Sequence, residues 1–119
     1  MPTIFHITSE SDWLAAQEGG TYRLSTRNRT LDEEGFIHCS DAHQVARIAN
    51  VLDGEPDEHL VVLWIATDKL DAEVRYENLD GGTELFPHIY GALPISAVTS
   101  VNTLQRDSSG RYTFVEQGP

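Results

Sequence analysis

The chain has 119 residues, 39% hydrophobic and 23% charged, which suits one soluble domain with a modest core and excludes a disordered chain. Its 19 acidic residues outnumber 8 basic ones, for a formal net charge of -11. That balance excludes DNA as a partner and counts against RNA and an anionic membrane surface, since each needs a basic footprint.

Thr3 to Thr8 alternates as a strand, with His6 facing away from Phe5 and Ile7. Ser9-Glu10-Ser11-Asp12 predicts a capped helix that stops at Gly19-Gly20. Thr21 to Ser25 is a weaker strand, and the polar stretch from Thr26 to Glu34 is expected as a loop. Phe36 to Cys39 is a short strand, after which Ser40 or Asp41 caps a helix to about Leu52. Val45, Ile48, Ala49 and Leu52 form its apolar stripe, and Asp53 to Asp57 ends it.

Leu60 to Ala66 is apolar on both faces, so it is expected at the centre of a sheet. A helical turn at 67–70, a strand at 74–78 and a turn at Asp80-Gly81-Gly82 follow. His88 to Tyr90 is another short strand, and a helical turn follows at 94–98. Residues 98–104 and 111–115 read as a terminal hairpin. The sum is a single α+β domain over 1–119, with about six or seven strands and two main helices.

Histidine has the pKa nearest neutrality, so copies set beside apolar residues are natural carriers of site chemistry. Two segments stand out, Gly35-Phe36-Ile37-His38-Cys39-Ser40 and Gly81 to Gly91, which holds Glu84, His88 and Tyr90. If the apolar residues mark the core, His6 and His38 share the opposite side and line a cleft. Cys39 points away from His38 and reads as a small core hydrophobe, not a nucleophile. As the single cysteine it excludes an intramolecular disulfide and fits a reducing compartment. With no leader pattern after Met1 and no long apolar run, the cytoplasm is expected.

No metal is expected, because the histidines lack zinc spacing and Pro87 separates Glu84 from His88. Arg23, Arg27 and Arg29 are crowded enough to hold a phosphate, or else form a solvated edge balanced by Asp32 to Glu34.

Ile4-Phe5-His6-Ile7-Thr8, Glu34 to Ser40 and Glu84 to Gly91 resemble the motifs of the bacterial domain of unknown function 952 family, over roughly residues 3–104. That family is in turn distantly similar to the ADP-ribosyltransferase superfamily. The resemblance implies two small, mostly antiparallel sheets forming a cleft, with NAD as substrate. It implies His6 on a ribose hydroxyl, His38 against the nicotinamide and Glu84 on the ribose 2′-hydroxyl. Ser40, His88, Tyr90 and the three arginines would line the ligand, with Glu77 or His88 as substitutes for Glu84. Where a tyrosine is common at the second position, this chain has His38. The expected reaction is cleavage of the nicotinamide–ribose bond. The alternatives are a non-catalytic module for a nucleotide or other small anion, and a hydrolase or metal-dependent enzyme using the same histidines.

Overall fold

A strand made from Leu60-Val61-Val62-Leu63-Trp64-Ile65-Ala66 must be covered on both faces, and the fold is arranged round that requirement. The computed structural model describes residues 3–26, 29–52, 59–78 and 82–114. In chain order its elements are β1 (Thr3–Ser9), α1 (Glu10–Gly19), β2 (Thr21–Tyr22), β3 (Leu24–Thr26), β4 (Arg29–Thr30), α2 (Leu31–Glu34), β5 (Ile37–His38) and α3 (Ala42–Leu52). There follow β6 (Leu60–Ala66), β7 (Glu73–Glu77), β8 (Phe86–Tyr90), β9 (Leu93–Pro94), β10 (Val98–Thr103), β11 (Gln105–Arg106) and β12 (Tyr112–Thr113). This is the α+β architecture expected, with antiparallel pairing throughout the small sheets.

β6 lies between β1 and β10, and β8 between β5 and β7. Opposite residues of an antiparallel pair share a face, so His6 with Leu63 and Ile4 with Ile65 look to one side. Phe5 with Trp64 and Ile7 with Val62 look to the other. Both sides are buried. The first packs Ile4, Val61, Leu63 and Ile65 against Ile37 and Ile89 of the second sheet, with Trp13 of α1 and Tyr22 of β2. The second packs Phe5, Leu60 and Val62 against Val45 and Ala49 of α3 and against Leu104 and Tyr112. Each such aliphatic side chain contributes about 1.5–3 kcal/mol through its removal from water.

Core residues of the two sheets therefore pack against each other. At one point backbone joins them. Phe5 N donates to Ser40 O at 2.8 Å and Ser40 N to Phe5 O at 2.7 Å, an isolated antiparallel bridge between β1 and the residue after Cys39.

The caps of α1 follow the sequence. Ser9 accepts from Asp12 N at 3.1 Å, and Gly20 ends α1 at φ 82, a left-handed conformation that glycine adopts without Cβ strain. The predicted loop at 26–34 instead holds β4 and the single turn α2. Thr30-Leu31-Asp32-Glu33 is a capping box there, with Thr30 and Glu33 each satisfying the other's backbone N–H. The terminal hairpin is also rearranged. β10 joins β6 as the third strand of its sheet, leaving β11 and β12 as a two-residue hairpin. Of the predicted helix stripe, Val45 and Ala49 are fully buried and Ile48 partly so; the Leu52 side chain and the turn at 53–57 lie outside the described residues.

Gly91 sits where a Cβ would meet the Cβ of Ala72 at 2.7 Å. Gly91→Ala is expected to lower unfolding free energy by about 1–3 kcal/mol through overpacking, read as an earlier urea midpoint at unchanged slope.

Candidate histidine and aromatic site

His6 does not line an open cleft. It is 2% exposed, and both ring nitrogens are spent inside the protein. Nδ1 lies 2.5 Å from the His38 carbonyl oxygen, which can only accept, so Nδ1 carries the proton. Nε2 of the neutral ring then takes the Tyr22 hydroxyl proton at 2.7 Å, and Thr8 Oγ1 continues the chain 2.9 Å from the Tyr22 oxygen. Burial pushes the His6 pKa down to about 4, against the opposing pull of the His38 carbonyl. The same burial pushes Tyr22 up, so both groups are neutral across the physiological range.

His38 shares with His6 a backbone contact, not a face. On β5 it is paired with His88 of β8, and their rings are 5.2 Å apart. Phe36 stacks edge-on against both, at 4.8 Å from His38 and 5.0 Å from His88, and lies 5.5 Å from Tyr90. Alternation along β8 puts Phe86, His88 and Tyr90 on this outer face and Pro87 and Ile89 against the core. Arg75 of β7 lies opposite His88 and holds its guanidinium 4.7 Å from the Tyr90 ring centre. Arg47 of α3 lies 6.0 Å from the Phe86 ring centre, at the other end of the strand.

The His38 side chain is 41% exposed, and Glu34 Oε1 lies 3.6 Å from its Nε2. His88 is 3% exposed, and its Nδ1 is buried with no hydrogen-bond partner. Burial pushes the His88 pKa down, and the neighbouring His38 adds to the effect.

Glu84 is turned toward α3. Its Oε2 accepts from Arg47 Nη2 at 2.5 Å and from Gln44 Nε2 at 2.9 Å. Those two hydrogen bonds, Arg47 first, hold its carboxyl below the usual carboxylate range. The partners of His6, His38 and Glu84 are thus different. Glu77, the substitute considered for Glu84, accepts a short hydrogen bond from Tyr90.

The remaining predicted residues have plain placements. Ser40 is buried and gives its backbone to the inter-sheet bridge. Arg23 pairs with Asp32 at 2.8 Å beside a recess of about 340 Å³ lined by Asp12, Tyr22 and Thr30. Arg27 and the Arg29 side chain lie outside the described residues. Cys39 is buried with its thiol pushed up by desolvation, the core role read from its position. Among the described residues no three histidine, cysteine or acidic side chains gather as a metal group. None of their helices is long and apolar enough to cross a membrane.

Phe36, Gln44, Arg47 and Arg75 were not anticipated. Phe36 was legible, because it alternates with His38. Gln44 and Arg47 were not, because their contacts with Glu84 join helix to loop across 40 and 37 residues.

Residues 7–101 match a family described as "Protein of unknown function (DUF952)". Two solved structures of protein CC0527 from Caulobacter crescentus are similar over nearly the whole chain. The crystal structure is 29% identical with a TM-score of 0.76, covering 94% of each chain. The solution NMR structure is 30% identical with a TM-score of 0.74, covering 93% of this chain and 91% of the other. No curated protein matches.

The buried state of His6 has a pH signature. Its folded pKa of about 4 lies below the ordinary 6.5, so the unfolded chain binds the proton first as pH falls. Its stabilisation is complete above pH 6.5 and is lost between there and pH 4, by roughly 3 kcal/mol. His88 shifts in the same direction. Urea unfolding between pH 7 and 4.5 should therefore show falling stability, and His6→Gln should flatten most of that slope.

Proposed function

Because the chain belongs to the DUF952 family of proteins of unknown function, we propose a function from its own geometry: it binds a flat, anion-bearing small molecule of the nucleotide class on the outer face of β5, β8 and β7, without turnover. One observation carries this reading. Phe36, His38, Phe86, His88 and Tyr90 form a strip of rings on one sheet face, bracketed by Arg75 at the Tyr90 end and Arg47 at the Phe86 end. Phe86 and Tyr90 stand about 13 Å apart along the strand, at roughly 3.3 Å per residue, room for a base, a sugar and a phosphate.

The rings provide apolar surface and edge-on or stacked contacts for a planar group. Half-exposed His38 provides polar recognition. The arginines supply cations beside the strip, in a protein whose net charge otherwise repels anions. NAD has both planar rings and a pyrophosphate, so it is the first ligand to offer.

Cleavage of the nicotinamide–ribose bond is less well served. It calls on His6 to hold a ribose hydroxyl, yet both His6 nitrogens already have partners. It calls on Glu84 to polarise a nucleophile, yet the Glu84 Oε2 is held by two donors. Binding needs neither group, and that favours the module over the enzyme.

NMR titration with NAD, AMP and nicotinamide separates the readings. The expected result is a shift of the His38, His88, Phe36 and Tyr90 ring signals, with His6 unmoved and no nicotinamide released from NAD. Silent ring signals at millimolar NAD and AMP would remove the site, and nicotinamide release would restore the transferase.

A further inference from the structure

We propose that Arg47 and Gln44 form the anion-binding end of this site, and that Glu84 is a resident competitor whose carboxylate the ligand's phosphate displaces. The inference rests on the nucleotide-class reading above and assigns its phosphate to one end of the strip.

The Glu84 Oε2 atom already marks where an anionic oxygen is welcome, because two donors from α3 converge on it. Gln44 is the preorganised one. It is 1% exposed, and its amide is fixed on three sides. Its Oε1 accepts from Asp41 N at 2.8 Å, and its Nε2 donates to Leu85 O at 3.0 Å as well as to Glu84. An amide nitrogen has two protons, so one is committed to Leu85 and the other to the Glu84 carboxylate. If Glu84 swings out, that second N–H stays in place, buried and unpaired until another acceptor arrives.

Arg47 supplies the charge and the continuity with the strip, since its guanidinium lies over the Phe86 ring. Its side chain is 54% exposed and that of Glu84 is 37% exposed. An ion pair so open to water is weak enough to exchange partners. The Glu84 backbone need not move, because Asn78 Nδ2 donates to its carbonyl at 2.6 Å. Side-chain rotation alone clears the position. A phosphate oxygen can then take the Gln44 proton while a second oxygen meets the Arg47 fork.

The opposite end is less suited. Arg75 is 2.9 Å from Glu73 and also feels Glu77, so two carboxylates compete there against one at Arg47. The cluster at Arg23 lies beside α1, with Asp32 already on the guanidinium.

Calorimetric titration with inorganic pyrophosphate and with adenosine tests this on the whole chain. Arg47→Ala should weaken pyrophosphate binding about tenfold, the usual scale for one charge-assisted contact. Glu84→Gln should tighten it by roughly threefold or more, because the competing charge is gone while the side chain keeps its shape. Adenosine affinity should change less than about twofold in both variants. In the unmodified protein, pyrophosphate should move the Arg47 Nε–H and Glu84 carboxyl NMR signals together, a readout that needs no variant to fold. Pyrophosphate binding that Glu84→Gln weakens or leaves unchanged overturns the competitor, as does a response at Arg23 or Arg75 with Arg47 still. Adenosine bound without pyrophosphate overturns the inference and keeps the ring strip; neither bound overturns both.

Discussion

Two backbone hydrogen bonds between Phe5 and Ser40 decide what the histidines of this protein can do. Each contributes only about 1 kcal/mol net, so their importance is geometric. They set β5 against β1 in one register, two residues before the helix α3 begins. In that register the carbonyl of His38 arrives at Nδ1 of His6, and the His6 ring is committed to the interior with Tyr22 and Thr8. The His38 ring goes the other way, to Phe36 and His88. One bridge thereby gives two nearby histidines opposite physical lives.

The inner histidine is held neutral by desolvation and serves as a hydrogen-bonding hub in an apolar core. The outer pair belongs to a surface of rings whose rim is electrostatic. There the arginine and carboxylate partners are exposed, as with Arg75–Glu73 and Arg47–Glu84. Exposure makes such pairs poor contributors to stability and ready to change partners. A buried pair could not exchange, because breaking it strands a charge away from water. The division of labour follows: the buried His6–Tyr22–Thr8 network is satisfied and fixed, and the rim is provisional. Against a net charge of -11, Arg47 and Arg75 place two of the eight basic residues on that rim.

Much of the fold was legible because local and long-range forces agree there. Leu60 to Ala66 is apolar at successive positions, so it had to be central, and β6 is flanked on both sides. Ser9 could cap α1, and Val45 and Ala49 could form a buried stripe, from spacing alone. The single-turn helix at Leu31–Glu34 was hidden, although its capping box was present, because so short a helix depends on tertiary contacts, here the Leu31 N–H bond to the Arg23 carbonyl and burial of the Leu31 side chain. The C-terminal rearrangement was hidden for a related reason. Val98 to Thr103 could pair with a neighbour in sequence or with β6, and only the exposed edge of β6 opposite β1 decided between them.

The amino-acid order by itself determined the α+β class, the central strand, the helix caps, the core role of Cys39 and the segments holding the chemically capable residues. Those are consequences of period, capping and composition, which act over a few residues. The tertiary structure alone decided which side chains meet. It buried His6, separated its ring from that of His38, turned Glu84 onto Arg47 and Gln44, and assembled Phe36, His38, His88 and Tyr90 on one face. The physical reason is that alternation on a strand specifies which residues share a face, but not whether that face meets core or water. That depends on what the rest of the chain packs against it, and β1 was packed on both sides.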